Sequence, residues 1–340
     1  MLGGRLRRAA IGGVAVALLL SGSARAGARA SLLVVGDTGL EPRLRLENPQ
    51  RAVAEAMAAE DRRAPAAALV LLGDNFYPRG IARAELVERV RANLVGPFCR
   101  FIAPGGTPAS ALEGACPLGP AERHVVPIYA VLGNHDYDRP ESPGLQRTAV
   151  DDLVPNWHMP RPIAETVELD GALSLVLVDS MALGRGQGEP ALREALRRSR
   201  GPWRVIAAHH PLARLDGGPD RRYQRAVRRA IQKSGVPVHA FLAGHEHNLE
   251  LLELPGPWPP LLAIAGSGSE VRPVTTTHPG LRFAADELGF ARIDVAGEGE
   301  SEHLAVSLYA VEMRLWRPDR WERVAFATVD REGRVQIGPP

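Results

Sequence analysis

The chain is short of residues on which several common chemistries depend. Lysine occurs once, at Lys233. A phosphate loop or a Schiff base would have to use that residue, and its neighbours Ile231, Gln232 and Ser234 resemble neither a phosphate loop nor a catalytic strand end. A surplus of bases is also missing. Of the 41 basic residues, four lie in the first 26 positions, which hold no acid; the remaining 37 face 39 acids. A nucleic-acid binder driven by phosphate charge needs a basic excess, so no nucleic-acid partner is expected. No apolar run reaches the ~20 residues that cross a bilayer. What is present is an ordinary globular balance, 45% apolar and 24% charged, which disfavours disorder, collagen and coiled coil. Glycine (35) and proline (29) are plentiful, so loops are many or long.

Arg5, Arg7 and Arg8 precede the apolar run Ala9–Leu20, and Ala24-Arg25-Ala26 fits a small-residue cleavage site. This predicts a signal peptide over 1–26, an exported chain that is periplasmic or secreted, and no stable membrane span after cleavage. Residues 27–340 are expected to form one domain. In an oxidising compartment the only two cysteines, Cys99 and Cys116, are expected to pair. A loop of that size is stabilised by roughly 3 kcal/mol on the entropic account.

Short apolar runs alternate with helical patterns over the first two thirds. Strands are expected at Leu32–Val35, Ala67–Leu72, Ile128–Leu132, Ala164–Leu169, Leu173–Val178, Trp203–Ala207 and Val238–Leu242. Helices are expected at Arg51–Arg62, Arg83–Leu94, Glu189–Arg200 and Arg221–Lys233, the last with a solvated arginine face. This rhythm argues for a layered α/β fold with buried strands. The strands after Leu249, including those near 289–337, follow one another without helices and are expected in a second sheet. Residues 96–123 read as a long loop.

Five strands end in polar clusters: Gly36-Asp37-Thr38-Gly39, Gly73-Asp74-Asn75-Phe76-Tyr77, Gly133-Asn134-His135-Asp136, His209-His210-Pro211 and Gly244-His245-Glu246-His247-Asn248. In open α/β folds ligands bind outside the carboxyl ends of strands, so five such ends can converge. Carboxylate, imidazole, phenol and carboxamide form a mixed oxygen and nitrogen donor set suited to transition metals, without the thiolates of a structural zinc site. In extended backbone His245 and His247 share a face, and adjacent His209 and His210 point apart. Asp74 and Tyr77, three apart, meet on a turn.

The ordered series resembles the calcineurin-like metallophosphoesterases and, within them, is similar to the purple (tartrate-resistant) acid phosphatases. The likeness runs from about Leu32 to Val295 and includes Asn156-Trp157, Pro160–Pro162 and Gly289-Phe290-Ala291. It implies a four-layer α-β-β-α sandwich of two mixed sheets, with a dinuclear metal site at the strand ends. It further implies that Asp37, Tyr77 and His247 hold a ferric ion. Asn134, His209 and His245 then hold a divalent ion (Fe, Zn or Mn), and Asp74 bridges the two. Many relatives carry Asp-x-His in the first motif. Here Gly39 takes the His position and Tyr77 supplies the phenolate that favours iron. The implied reaction is hydrolysis of a small phosphate monoester, with a metal-bridging hydroxide as nucleophile and His135 as general acid oriented by Asp136. Asn134, His135 and His210 are implied at the substrate; the additional histidine usual after the fourth motif is missing from Leu212–Asp220, which leaves His210 or Arg214 to take its place. Rival readings are a phosphodiesterase or nucleotidase with the same metals, and a non-catalytic metal-binding module.

Overall fold

The computed structural model describes residues 28–40, 48–103, 112, 114–160, 163–212, 221–274, 278–314 and 317–340. The expected signal peptide and Arg214 lie outside them.

The run Leu32-Leu33-Val34-Val35 has no polar alternation, so both faces of its strand need cover. β1 (Ala30–Val35) pairs in parallel with β2 (Ala68–Leu71), which pairs with β3 (Ile128–Ala130) and then β4 (Trp157–His158). Consecutive side chains on β1 enter different cores. Leu33 and Val35 pack with Ala52, Val53 and Met57 of α1 (Pro49–Arg63) and with Leu145 and Leu153 of α3 (Ser142–Leu153). Leu32 and Val34 pack against a second sheet, on Leu175, Leu177 and Val205. Helix α1 starts where Asn48 Oδ1 accepts the Arg51 amide, with Pro49 in the first turn.

The second sheet runs β11-β9-β10-β8-β7-β6-β5. Its strands are β5 (Ala164–Leu169), β6 (Leu173–Val178), β7 (Trp203–Ala207), β8 (Ala240–Ala243), β9 (Leu249–Glu253), β10 (Leu261–Ala265) and β11 (Leu281–Ala285). The β5–β6 hairpin closes at Asp170-Gly171, both with positive φ, as a tight two-residue turn requires. Outside the sheet lie α4 (Ser180–Gly184), α5 (Glu189–Arg198) and α6 (Arg221–Ser234), whose Leu192, Leu196, Tyr223 and Val227 form a third core with Val176, Ile206 and Phe241. Three cores separate four layers, the α-β-β-α arrangement that the resemblance implies. Cys99 and Cys116 form a disulfide within the first core. Among the described residues no helix is long and apolar enough to cross a membrane.

Two expectations are corrected. The sequence places all late strands in one second sheet, but the structure divides them. β9 and β10 stay beside β8, whereas β12 (Gly289–Ala296), β13 (His303–Arg314), β14 (Arg317–Val329) and β15 (Val335–Gly338) extend the first sheet from β1. β2 occupies one edge of β1; β12 pairs antiparallel along the other, from Ala30↔Val295 to Val34↔Ala291. That pairing satisfies backbone groups that burial would otherwise leave unmet. The single helix expected over Arg83–Leu94 is instead a 3₁₀ turn at Arg83–Glu85, α2 (Leu86–Val90) and a wide π turn at Arg91–Val95. Its buried Asn93 donates to the Gly39 carbonyl (3.1 Å) and Arg89 to the Tyr77 carbonyl (2.6 Å). Tertiary bonds thus override the regular period.

Candidate metal centre

β1, β2 and β3 are adjacent and parallel, so their carboxyl ends lie side by side; β7 and β8 do the same in the other sheet. The Gly36 amide donates to the Ala265 carbonyl at 2.7 Å, tying the two sheets together at this end. Past the strands the backbone turns through conformations that L-residues rarely adopt. Asp37 (φ 57°), Asp74 (52°), His245 (73°) and His247 (52°) are all left-handed; among the described residues the one other non-glycine case is Asp170 in its hairpin. Such strain persists where the surroundings fix it, typically at functional sites.

The turns bring the seven expected donors into two abutting groups. In the first, the Tyr77 hydroxyl lies 3.0 Å from Asp37 Oδ1, 2.9 Å from Asp74 Oδ2 and 2.9 Å from His247 Nε2. In the second, Asn134 Oδ1 lies 3.0 Å from both His209 Nε2 and His245 Nδ1, and those nitrogens are 3.2 Å apart. Asp74 stands between the groups, with Oδ2 also 3.5 Å from His209 Nε2. His209 Nδ1 is 2.9 Å from the Leu72 carbonyl, so it carries the proton and Nε2 presents a lone pair to the group. Asn134 and His245 are half-buried, and the other five are buried.

The electrostatics are those of an anionic pocket. Burial alone would raise the Asp37 carboxyl, but His209 and His247 hold it low. Burial, reinforced by Asp37 and Asp74, pushes the Tyr77 phenol far up. Burial disfavours a charged His209, yet Asp74 and Asp37 outweigh it and raise that imidazole. Donors about 3 Å apart have the spacing of groups that share an ion at about 2.1 Å each. Glycine makes the approach possible: a Cβ on Gly133 would sit 2.1 Å from Asp74 Oδ1. One on Gly39, where many relatives have histidine, would sit 2.4 Å from the Phe76 amide nitrogen. The donor set, its crowding and its charge fit a pair of cations.

Three local expectations fail. His245 and His247 do not share a face: both are left-handed, the segment is bent, and one joins each group. His209 and His210 do not point apart, because the chain leaves the extended conformation beyond β7 and sets their rings 4.9 Å apart. Asp136 does not orient His135. It is wholly buried and accepts from the amides of Gly133 (2.9 Å), Asn75 (3.2 Å) and Phe76 (3.2 Å) and from Gln146 Nε2 (2.8 Å). Burial and the nearby Asp74 push it up to about 7. The His135 imidazole rests instead on the Pro78 carbonyl, 2.7 Å from Nδ1, with Asp138 at 3.6 Å. Sequence reasoning also passed over Asn75, which binds the Val131 carbonyl and Gln146, and Ser180, whose hydroxyl lies 2.8 Å from His210 Nδ1. Asn75 stands inside a quoted motif; nothing local marks Gln146 or Ser180.

None of the curated proteins matches this sequence. Among solved structures, GAP50, described as the anchor in the inner membrane complex of Plasmodium, superposes with TM-score 0.60 at 13% identity, covering 86% of this chain and 88% of its own. PhoD superposes with TM-score 0.58 at 14% identity, covering 92% of this chain and 72% of its own. At such identities the likeness is one of fold. The profile of the calcineurin-like phosphoesterases matches residues 30–249, a span that contains every one of the five strand-end clusters, and the chain belongs to that family.

Proposed function

We propose that the chain is an exported phosphatase of the purple acid phosphatase kind, acting on small phosphate monoesters with two metal ions. The observation that carries this reading is the division of seven donors into two groups with Asp74 between them. Asp37, Tyr77 and His247 would hold a ferric ion, Asn134, His209 and His245 a divalent one (Fe, Zn or Mn), and Asp74 both. When bound, the two cations would neutralise phosphoryl oxygens and make an ionised water available at mild pH.

The chain's own groups do the rest. The amide of His135 donates to Asp74 Oδ1 at 2.9 Å, fixing this residue beside the shared carboxylate. Its Nδ1 is occupied by the Pro78 carbonyl, so Nε2 is the nitrogen that hands a proton to the leaving oxygen. Asp136 acts as a positioning residue, holding the Asn75 and Gly133 loops in register. His210, half-buried and 4.4 Å from the His245 ring, borders a cavity of about 340 Å³ lined by Met181, Arg185, Pro211 and Tyr223. We assign that cavity to the organic part of the ester, with Asn134, His135 and His210 at the phosphate.

Purified protein assayed with aryl phosphate, bis-aryl phosphate and nucleotides, alongside elemental analysis, tests the reading. Preference for the monoester with two bound metals is expected. Preference for the diester or nucleotide would replace it with a phosphodiesterase or nucleotidase. Metal without turnover on any ester would leave only a binding module.

A further inference from the structure

His247 has two ring nitrogens, and the donor set accounts for one. Nε2 lies 2.9 Å from the Tyr77 hydroxyl, within the first group. Nδ1 is buried and has no aligned hydrogen-bond partner. An imidazole that offers its Nε2 lone pair carries its proton on Nδ1, and a buried N–H without an acceptor is destabilising. The group within reach is Glu270, whose Oε2 lies 3.1 Å from Nδ1.

Glu270 is held in place from both sides. It follows β10 in a loop where the Ser269 hydroxyl donates to the Asp37 carbonyl, and the Arg272 amide donates to the His247 carbonyl at 2.9 Å. Gly268 donates to the Gly36 carbonyl at 3.1 Å. The loop is thus stitched to two of the metal-site turns, while the carboxylate itself remains 43% exposed, with Arg272 at 3.8 Å. Its Oε2 is thus the acceptor nearest to the buried proton, at hydrogen-bond distance though not aligned with it. His209 meets the same need with the neutral Leu72 carbonyl.

We infer that Glu270 is a positioning residue for the metal held by Asp37, Asp74, Tyr77 and His247, fixing the His247 tautomer and strengthening its Nε2 as a donor. A carboxylate behind a ligating histidine does both, and loss of such a partner typically weakens metal binding by about 10–100-fold. The inference rests on the metal reading above.

The test titrates metal-stripped wild type, Glu270→Ala and Glu270→Asp with Zn²⁺ against a chromophoric chelator. Melting of the metal-stripped proteins and visible spectra of iron-loaded samples are recorded in parallel. In Glu270→Ala one of the two ions is expected to bind about 10–100-fold more weakly, the other as in wild type, with unchanged melting of the stripped protein. Glu270→Asp should recover most of the affinity, and the iron-loaded alanine variant should show a shifted band. Wild-type affinity for both ions in Glu270→Ala would overturn the inference and leave the metal reading intact. So would equal weakening of both ions with lower melting of the stripped protein, which marks a structural role. Wild type that binds no ion would overturn both.

Discussion

The two ends of the second sheet each bury a histidine, and the two behave in opposite ways. His209 stands just past β7 and His239 just before β8, both almost wholly inaccessible. His239 lies 4.7 Å from the Trp203 ring, and its Nδ1 accepts the Arg204 amide at 3.1 Å. Burial, aided by the Arg204 charge, pushes it down to about 4, so it stays neutral. His209 is buried as deeply, but Asp74 and Asp37 raise it. Desolvation alone therefore yields a packing residue. Converging carboxylates, on backbone that resists the placement, yield a site.

The most severe way to break the contrast is Asp74→Ala. Loss of both metals is expected, with activity down by at least about 10³-fold; elemental analysis and turnover check it, and full occupancy would contradict a shared carboxylate. Next is His135→Ala. The metals should stay, while poor leaving groups slow by about 10²–10⁴-fold and good ones far less; equal slowing across a leaving-group series would remove the general-acid role. Tyr77→Phe sharpens the contrast within the site. Iron-loaded protein should lose its visible phenolate absorption and the Asn134 group should keep its ion. An iron-loaded wild type without such a band would point to Mn or Zn. The smallest effect belongs to the opposite end. His239 has a folded value near 4, below its ordinary 6.5. Its stabilisation is thus present above pH 6.5 and lost as pH falls toward 4, up to roughly 3 kcal/mol. His239→Gln should flatten that limb of the stability–pH curve and leave turnover unchanged. A changed turnover would erase the distinction between the two ends.

Much of this was legible in the residues, and the failures have physical causes. Strands at Leu173–Val178 and Trp203–Ala207 follow the apolar runs to the residue because both are buried between neighbours, and the edge strand Ala164–Leu169 does so through its hairpin with Leu173–Val178. The seven donors were legible because each follows an apolar strand in a short polar burst. The helix at Ser142–Leu153 was not: Pro143 and Gly144 open it and its apolar period is weak, so packing of Leu145 and Val150 stabilises it more than propensity does. Side-chain directions at His209, His210, His245 and His247 are not legible in the sequence for one reason. Strand alternation stops at the strand ends, and the turns beyond abolish it. Sequence adjacency pairs Asp136 with His135, whereas its four partners are Gly133, Asn75, Phe76 and the distant Gln146.

The left-handed corners at Asp37, Asp74, His245 and His247 set evolution and folding against each other at four positions. Glycine would fit each corner with less strain, by on the order of 1 kcal/mol, and each such exchange would also delete a donor. Glycine at any of the four is therefore expected to give a sturdier chain that has lost part of the candidate site. The four corners together mark where the backbone gives up stability to hold these side chains in place.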